Sequence, residues 1–203
     1  MKDNNINNHY DHEGSKIGMW LFIFTELLFF GGLFIVYAVY RYKHGTAFEL
    51  AAKELDVSIG AINTVILLIS SATIAMSISS IQLKKRKLTI ILLATTLILA
   101  LIFLVNKYFE WGIKIEHGLY PGSGILQQHG YGEILFFGLY FFMTGLHALH
   151  IIIGIILITI IMLKVKNEKI HADRFVQLEN TGLYWHLVDI IWIFLFPLFY
   201  LIV

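Results

Sequence analysis

Five long apolar runs constrain this chain more than any other feature. Ile17–Tyr40 is broken only by Thr25 and Glu26, and Ile59–Ile81 carries no charge. Leu88–Val105 is almost purely aliphatic apart from three threonines. Ile134–Leu163 holds two histidines, and Gly182–Val203 holds His186 and Asp189. Each run reaches or approaches the ~20 residues that carry a helix across ~30 Å of hydrocarbon. The runs are continuous rather than alternating, which excludes the strands of a membrane barrel. Of the 203 residues, 58% are hydrophobic and 14% charged, against roughly 25% charged in a soluble domain. One soluble core could not enclose that much apolar surface, and a chain with so much to bury is not disordered. The reading is an all-α integral membrane bundle of five transmembrane helices, with spans at approximately 17–40, 59–81, 88–109, 133–163 and 182–203. A polar tail, 1–16, precedes a single domain, 17–203. At 1.5 Å per residue the fourth run would extend ~45 Å, so it is expected to tilt or project.

Charge orients the chain. Lys2, Lys16, Lys84, Lys85, Arg86, Lys87, Lys164, Lys166, Lys169 and Arg174 fall on one side of the spans, ten in all. Arg41, Lys43, Lys53, Lys107 and Lys114, five in all, fall on the other. The positive-inside rule then predicts a cytoplasmic N-terminus and an outer C-terminus. The longest outer connection, 106–133, contains the turn chemistry His117-Gly118-Leu119-Tyr120-Pro121-Gly122 and is expected to form an ordered cap. With no cysteine there is no disulfide, thiolate metal site or thiol nucleophile. A net charge of +1 offers no basic face for nucleic acid. Met1–Gly14 lacks the build of a cleavable signal. Its His9, Tyr10, Asp11 and His12 read as solvated chain rather than a metal site.

Polar groups inside a bilayer need a reason, since a mid-membrane charge costs ~2.5–3.5 kcal/mol on insertion scales. Glu26 lies ~13 Å into the first span. Either it serves a proton relay or a lipid contact, or it is a neutral acid bonded to another helix. His147 and His150, spaced i, i+3, share a face of the fourth span. A redox metal would need further ligands from facing helices, so interhelical hydrogen bonding is the simpler reading and no metal site is expected. His186 and Asp189, also i, i+3, read as a buried structural pair or a relay, with Trp185 and Trp192 on the same face. By depth, Glu26, His147, His186 and Asp189 are expected to form one polar network, sealed from lipid by Phe29, Phe30, Trp185 and Trp192. Asn63, Ser70 and Ser77 form a small polar face for helix packing. Gly31, Gly32, Gly138, Gly145 and Gly154 are read the same way. Tyr37, Tyr40, Tyr42, Tyr108 and Trp111 read as an interfacial belt.

Four segments, in order along nearly the whole chain, resemble subunit III of the haem-copper terminal oxidases. They are Gly18-Met19-Trp20-Leu21-Phe22 leading to Thr25-Glu26-Leu27-Leu28-Phe29-Phe30; Asn63-Thr64 with Leu67-Leu68, Ser70-Ser71 and Thr73; Thr144-Gly145-Leu146-His147-Ala148-Leu149-His150 with Gly154; and Glu179 followed by Tyr184-Trp185-His186-Leu187-Val188-Asp189-Ile190-Ile191-Trp192. The chain looks like the bacterial five-span form of cytochrome c oxidase subunit III. Glu133 stands where the family commonly has a small hydroxyl residue, and Phe109-Glu110-Trp111 resembles its "x-E-Y" step.

The resemblance implies an accessory subunit with no catalytic redox centre and no metal of its own. Haem and copper then lie in partners, the catalytic subunit I and subunit II, where electrons enter. It further implies a phospholipid-binding cleft and support of proton uptake, with Glu26 matching the family's buried acid beside that cleft. The setting it implies is the bacterial inner membrane. A quinol oxidase subunit III and the subunit III-like partner of nitric oxide reductase are related alternatives. An independent proton or ion transporter is the alternative of another class, disfavoured by the lack of internal pseudo-symmetry and broken helices. A purely structural scaffold is a third reading.

Overall fold

A computed structural model describes residues 12–172 and 174–201 of the chain. The histidine-bearing tail, His9 to Asp11 with the His12 side chain, lies outside the described residues. Among the described residues six α-helices form: α1 His12–Lys43, α2 Gly45–Ala52, α3 Val57–Gln82, α4 Arg86–Glu116, α5 Tyr131–Lys166 and α6 Val176–Phe196. A π-helical turn, Pro197–Leu201, continues α6. All but α2 are long and apolar enough to cross a membrane, which gives five spans among the described residues.

The helices overrun the apolar stretches that define them. α1 begins five residues before Ile17, and α4 runs to Glu116 rather than 109. The charged residues at the end of α4 do not stop the helix because they find partners inside the protein. α2 occupies what the sequence leaves as a loop, because Phe48, Ala51 and Ala52 give it a buried face. Asp56 starts α3 by accepting hydrogen bonds from the amides of Ser58 (2.8 Å) and Ile59 (3.3 Å), satisfying donors that the first turn would leave bare. The connection from α4 to α5 is an ordered cap. Gly118 (φ 71°) and Gly122 (φ 91°) adopt left-handed turns, and Ser123 Oγ accepts from the amides of Ile125 and Leu126.

α6 is the centre of the bundle. Of its most apolar stretch 56% is buried, against 6% for α1, which rests at the edge on α5 and α6. α3 and α4 pair along their length through a polar seam: Ser80 to Thr89 (2.6 Å), Thr73 to Thr96 (2.8 Å) and Asn106 Nδ2 to Asn63 Oδ1 (2.9 Å). Ser77 is also fully buried but bonds the Ile74 carbonyl of its own helix, while buried Asn63 lies in this seam and buried Ser70 meets Trp185 of α6. Such side chains bond across helices where lipid offers no partner.

Close approach to α6 depends on three glycines. A Cβ on Gly60 would meet Phe196 at 2.8 Å, one on Gly154 would meet Trp185 at 2.6 Å, and one on Gly182 would meet Ile78 at 2.8 Å. Gly31, Gly32 and Gly138 have open space at the same position, and Gly145 meets only the Trp111 ring at 4.0 Å. The expected packing role therefore belongs to Gly154 alone among the glycines singled out by sequence, because only there does a bulky neighbour lean onto the backbone.

Candidate functional site

Two polar centres occupy opposite halves of the bundle. The first lies where α1 meets α5 and α6. Glu26 Oε2 stands 3.2 Å from His150 Nε2. Glu26 Oε2 makes no hydrogen bond, and at this distance the two side chains form an ion pair only when the imidazole is protonated. His150 Nδ1 donates to the Leu146 carbonyl at 2.8 Å, which fixes the ring and turns Nε2 towards α1. The Tyr184 hydroxyl donates to the His150 carbonyl at 2.9 Å. Phe30 meets the imidazole edge-on at 5.5 Å, and Phe22 stacks on Tyr184 at 5.9 Å. The Glu26 side chain remains 20% exposed, so this acid sits at the edge of the bundle rather than in its core.

The single network expected from helix depth does not form. Glu26 pairs with His150, not with Asp189, His186 or His147. His186 Nδ1 lies 2.7 Å from Ser71 Oγ on α3. It does not pair with Asp189, because the crossing of α3 supplies a nearer partner. Asp189 is 3% exposed, and neither of its oxygens makes a hydrogen bond; the Ser71 hydroxyl is its polar neighbour. His147 is fully buried, with both ring nitrogens unbonded, against Phe103 (5.6 Å) and Trp192 (5.2 Å). His147 and His150 thus share a helix face but not an environment.

The expected seal also divides. Phe30 is buried, whereas Phe29 is 47% exposed and faces outward. Trp185 and Trp192 are fully buried rather than facing lipid. Their indole N–H groups donate to Ser70 Oγ and Thr64 Oγ1, each at 3.0 Å, and so join α6 to α3. Tyr37 leaves the interfacial belt for the interior, where its hydroxyl donates to the Leu198 carbonyl at 2.5 Å.

The second centre was not legible as a site. Lys107 and Glu110 on α4 are each 2% exposed and pair at 3.1 Å. Lys107 Nζ donates to Tyr200 (2.8 Å) and Tyr140 (3.3 Å), and lies 5.1 Å from the ring centres of Tyr140 and Trp192. Glu110 Oε1 accepts from Tyr140 at 2.5 Å and from Tyr200. Every donor and acceptor of the pair is engaged, the condition under which a buried ion pair holds together. The cluster joins α4, α5 and the π-helical turn. Among the described residues no group of three or more His, Asp or Glu side chains is arranged to hold a metal.

A family model described as cytochrome c oxidase subunit III matches residues 4–202. A haem-copper oxidase subunit I+III of Aeropyrum pernix is 31% identical in an alignment of 202 residues that covers 96% of this chain but 24% of that longer protein. A probable quinol oxidase subunit 3 of Staphylococcus saprophyticus is 27% identical over 202 residues, covering 98% of this chain and 96% of the relative. The Staphylococcus aureus protein of the same description is 26% identical over the same shares.

Proposed function

Because the chain belongs to the cytochrome c oxidase subunit III family, we propose that it is the accessory third subunit of a proton-pumping terminal oxidase that reduces oxygen to water. The match over residues 4–202 carries this reading. In it, haem and copper reside in partner subunits I and II. This chain contributes no redox centre, stabilises the catalytic subunit, binds phospholipid and supports proton uptake. The membrane is the bacterial inner membrane, with the N-terminus cytoplasmic. Cytochrome c is the electron donor of the main reading. A quinol is the second, favoured by the staphylococcal relatives described as quinol oxidase subunits. Affinity purification of the tagged chain in mild detergent is expected to bring down haem-bearing subunits, with the spectrum giving the haem type. A chain that purifies alone and conducts ions would overturn the reading in favour of a transporter.

The Glu26 centre supports the proposed roles in lipid contact and proton handling. A carboxyl group 3.2 Å from an imidazole with a fixed ring sets two proton-binding groups side by side at the edge of the bundle. Exposed Phe29 and Leu28 on α1 offer an apolar wall beside it for acyl chains. Glu26→Gln keeps a polar group beside His150 Nε2, whereas Glu26→Ala leaves only apolar neighbours there. The Ala variant is expected to shorten the active lifetime of the enzyme and to loosen the subunit. The Gln variant is expected to stay close to wild type, and oxygen reduction persists in both. Equal damage from the two would show that the charge matters rather than the contact.

Orientation is tested in a chain that has no native cysteine. Gln127 lies exposed in the cap, unlike the buried Ser123, and Lys85 lies exposed in the α3–α4 turn at the other end. An impermeant thiol reagent outside the cell is expected to label Gln127→Cys and not Lys85→Cys. The reverse pattern would invert the topology.

A further inference from the structure

At its lysine-rich end the bundle leaves one side of α6 uncovered. Among the described residues α1 and α3 each pack on α6 but make no extended contact with one another. The gap between them is a cavity of about 350 Å³, within the ~300–1,000 Å³ range of small-molecule pockets. Trp20 on α1, Ile78 on α3 and Leu183 on α6 give it apolar walls. Lys16, Glu179 and Asn180 stand at its mouth, and His186 lies deeper. Lys16 pairs with Glu179 at 3.1 Å. Asn180 Nδ2 donates to the Ser15 carbonyl (3.2 Å) and Oγ (2.9 Å), while its Oδ1 has no hydrogen bond. His186 spends Nδ1 on Ser71, which leaves Nε2 for the cavity. Behind Ser71 lies Asp189, buried and without a hydrogen bond of its own.

The geometry points to a binding site for the headgroup of a lipid-soluble quinone, in both its oxidised and its reduced form. Each end of the cavity offers a donor and an acceptor. At the mouth, Lys16 Nζ keeps N–H groups beyond its bond to Glu179, and Asn180 Oδ1 is free to accept. At the deeper end, Ser71 decides the role of His186 Nε2. With the Ser71 hydroxyl donating to Nδ1, the ring proton sits on Nε2, which donates to a carbonyl. With that hydroxyl turned to its neighbour Asp189 and its oxygen accepting from Nδ1–H, Nε2 accepts from a hydroxyl. A quinone presents two carbonyls and its quinol two hydroxyls, so each form finds a partner at both ends. The span also fits. His186 follows Asn180 by six residues on α6, ~9 Å along the axis. A ring with oxygens on opposite sides, plus a hydrogen bond of ~2.8 Å at either end, covers a comparable length between the apolar walls. A phospholipid ester only accepts, and a sterol brings one hydroxyl, so neither uses both ends in both roles. The tail leaves sideways between α1 and α3, past the exposed Trp20. The inference rests on the chain lying in a membrane, not on which donor feeds an oxidase.

The test illuminates the complex containing the full chain in the presence of an azidobenzoquinone with a decyl tail and maps the label. Label is expected in this chain, on the peptides that hold Trp20 and Leu183, whatever the partner subunits take up. Decylquinone and, without oxygen, its quinol are both expected to compete, whereas phosphatidylglycerol is not. His186→Leu removes the deeper partner and is expected to weaken competition by both forms about five- to tenfold, the factor that one hydrogen bond carries. Leu183→Trp fills the cavity, leaves the contact between Ser71 and His186 in place, and is expected to remove the label; it serves should His186→Leu misfold. Ile98→Trp puts the same bulk on an exposed position of α4 and is expected to change nothing. Label confined to partner subunits, or undiminished in Leu183→Trp, overturns the site. Competition by phosphatidylglycerol equal to that of decylquinone makes the gap a general lipid groove and overturns the headgroup reading. Competition by the quinone alone overturns the paired hydrogen bonding at His186.

Discussion

Glu110→Ala is expected to cost about 3–5 kcal/mol, the penalty for leaving one member of a buried ion pair alone. The substitution removes the partner of Lys107 and the acceptor of two tyrosine hydroxyls, and all of them remain inside the protein. Lys107→Met is expected to cost a similar amount, now by stranding the carboxylate. Because the pair sits where α4, α5 and the π-helical turn meet, the loss should spread. Tyr200 would release that turn, and with it the Leu198 carbonyl that receives Tyr37 from α1. The double change Lys107→Met with Glu110→Gln is expected to recover most of the stability. Methionine keeps the apolar stem over Tyr140 and Trp192, glutamine keeps an acceptor oxygen for a tyrosine, and no bare charge remains. Thermal midpoints in detergent and steady-state levels in the membrane measure all three. Single variants as stable as wild type would mean that the pair is not held in a dry interior.

This cluster also marks where the sequence stops being legible. The five spans follow from the apolar runs because crossing hydrocarbon demands length and continuity, and both are local properties. The end of α4 does not follow. Lys107, Glu110 and Lys114 read as loop charges, since a charge after an apolar run normally means water. The one local hint was opposite charge at i, i+3. Tyr140 and Tyr200 are 30 and 90 residues from Glu110, and nothing local announces that they converge on it. The orienting charge count shifts accordingly, since Lys107 and Lys114 are buried and Lys114 donates to the Glu54 carbonyl.

Same-face spacing proved equally local. It placed His186 beside Asp189 and His147 beside His150, but it could not say what a crossing helix brings. Ser71 draws His186 onto α3, and Glu26 faces His150. Depth along the membrane put Glu26 level with several histidines, yet azimuth around the bundle decided which one it meets. The resemblance to subunit III needed neither kind of contact, because it rests on segments read in order along the chain.

The glycines separate these two kinds of information most cleanly, and they give the second large expected effect. Gly154→Ala is expected to cost about 1–3 kcal/mol net of alanine's better helix propensity. The new Cβ would lie 2.6 and 2.7 Å from Cζ3 and Cε3 of Trp185. A flexible neighbour would move, but this indole is fully buried and tied by its N–H to Ser70 on α3. Overpacking in such a site costs about 1–3 kcal/mol, and a swing of the ring would forfeit a hydrogen bond worth about 1 kcal/mol. The register of α5 against α6 would then slip at Trp185, between the Glu26 centre and the lysine-rich end. Gly31→Ala and Gly138→Ala add the same methyl to open space, so they are expected to leave the thermal midpoint unchanged or slightly raised, since alanine is the better helix former by about 0.8–1 kcal/mol. All three glycines look alike in sequence, each inside an apolar run. A Gly154→Ala midpoint indistinguishable from those of the two controls would mean that the indole is free to move, and that α6 is not held against α3 and α5 at that level.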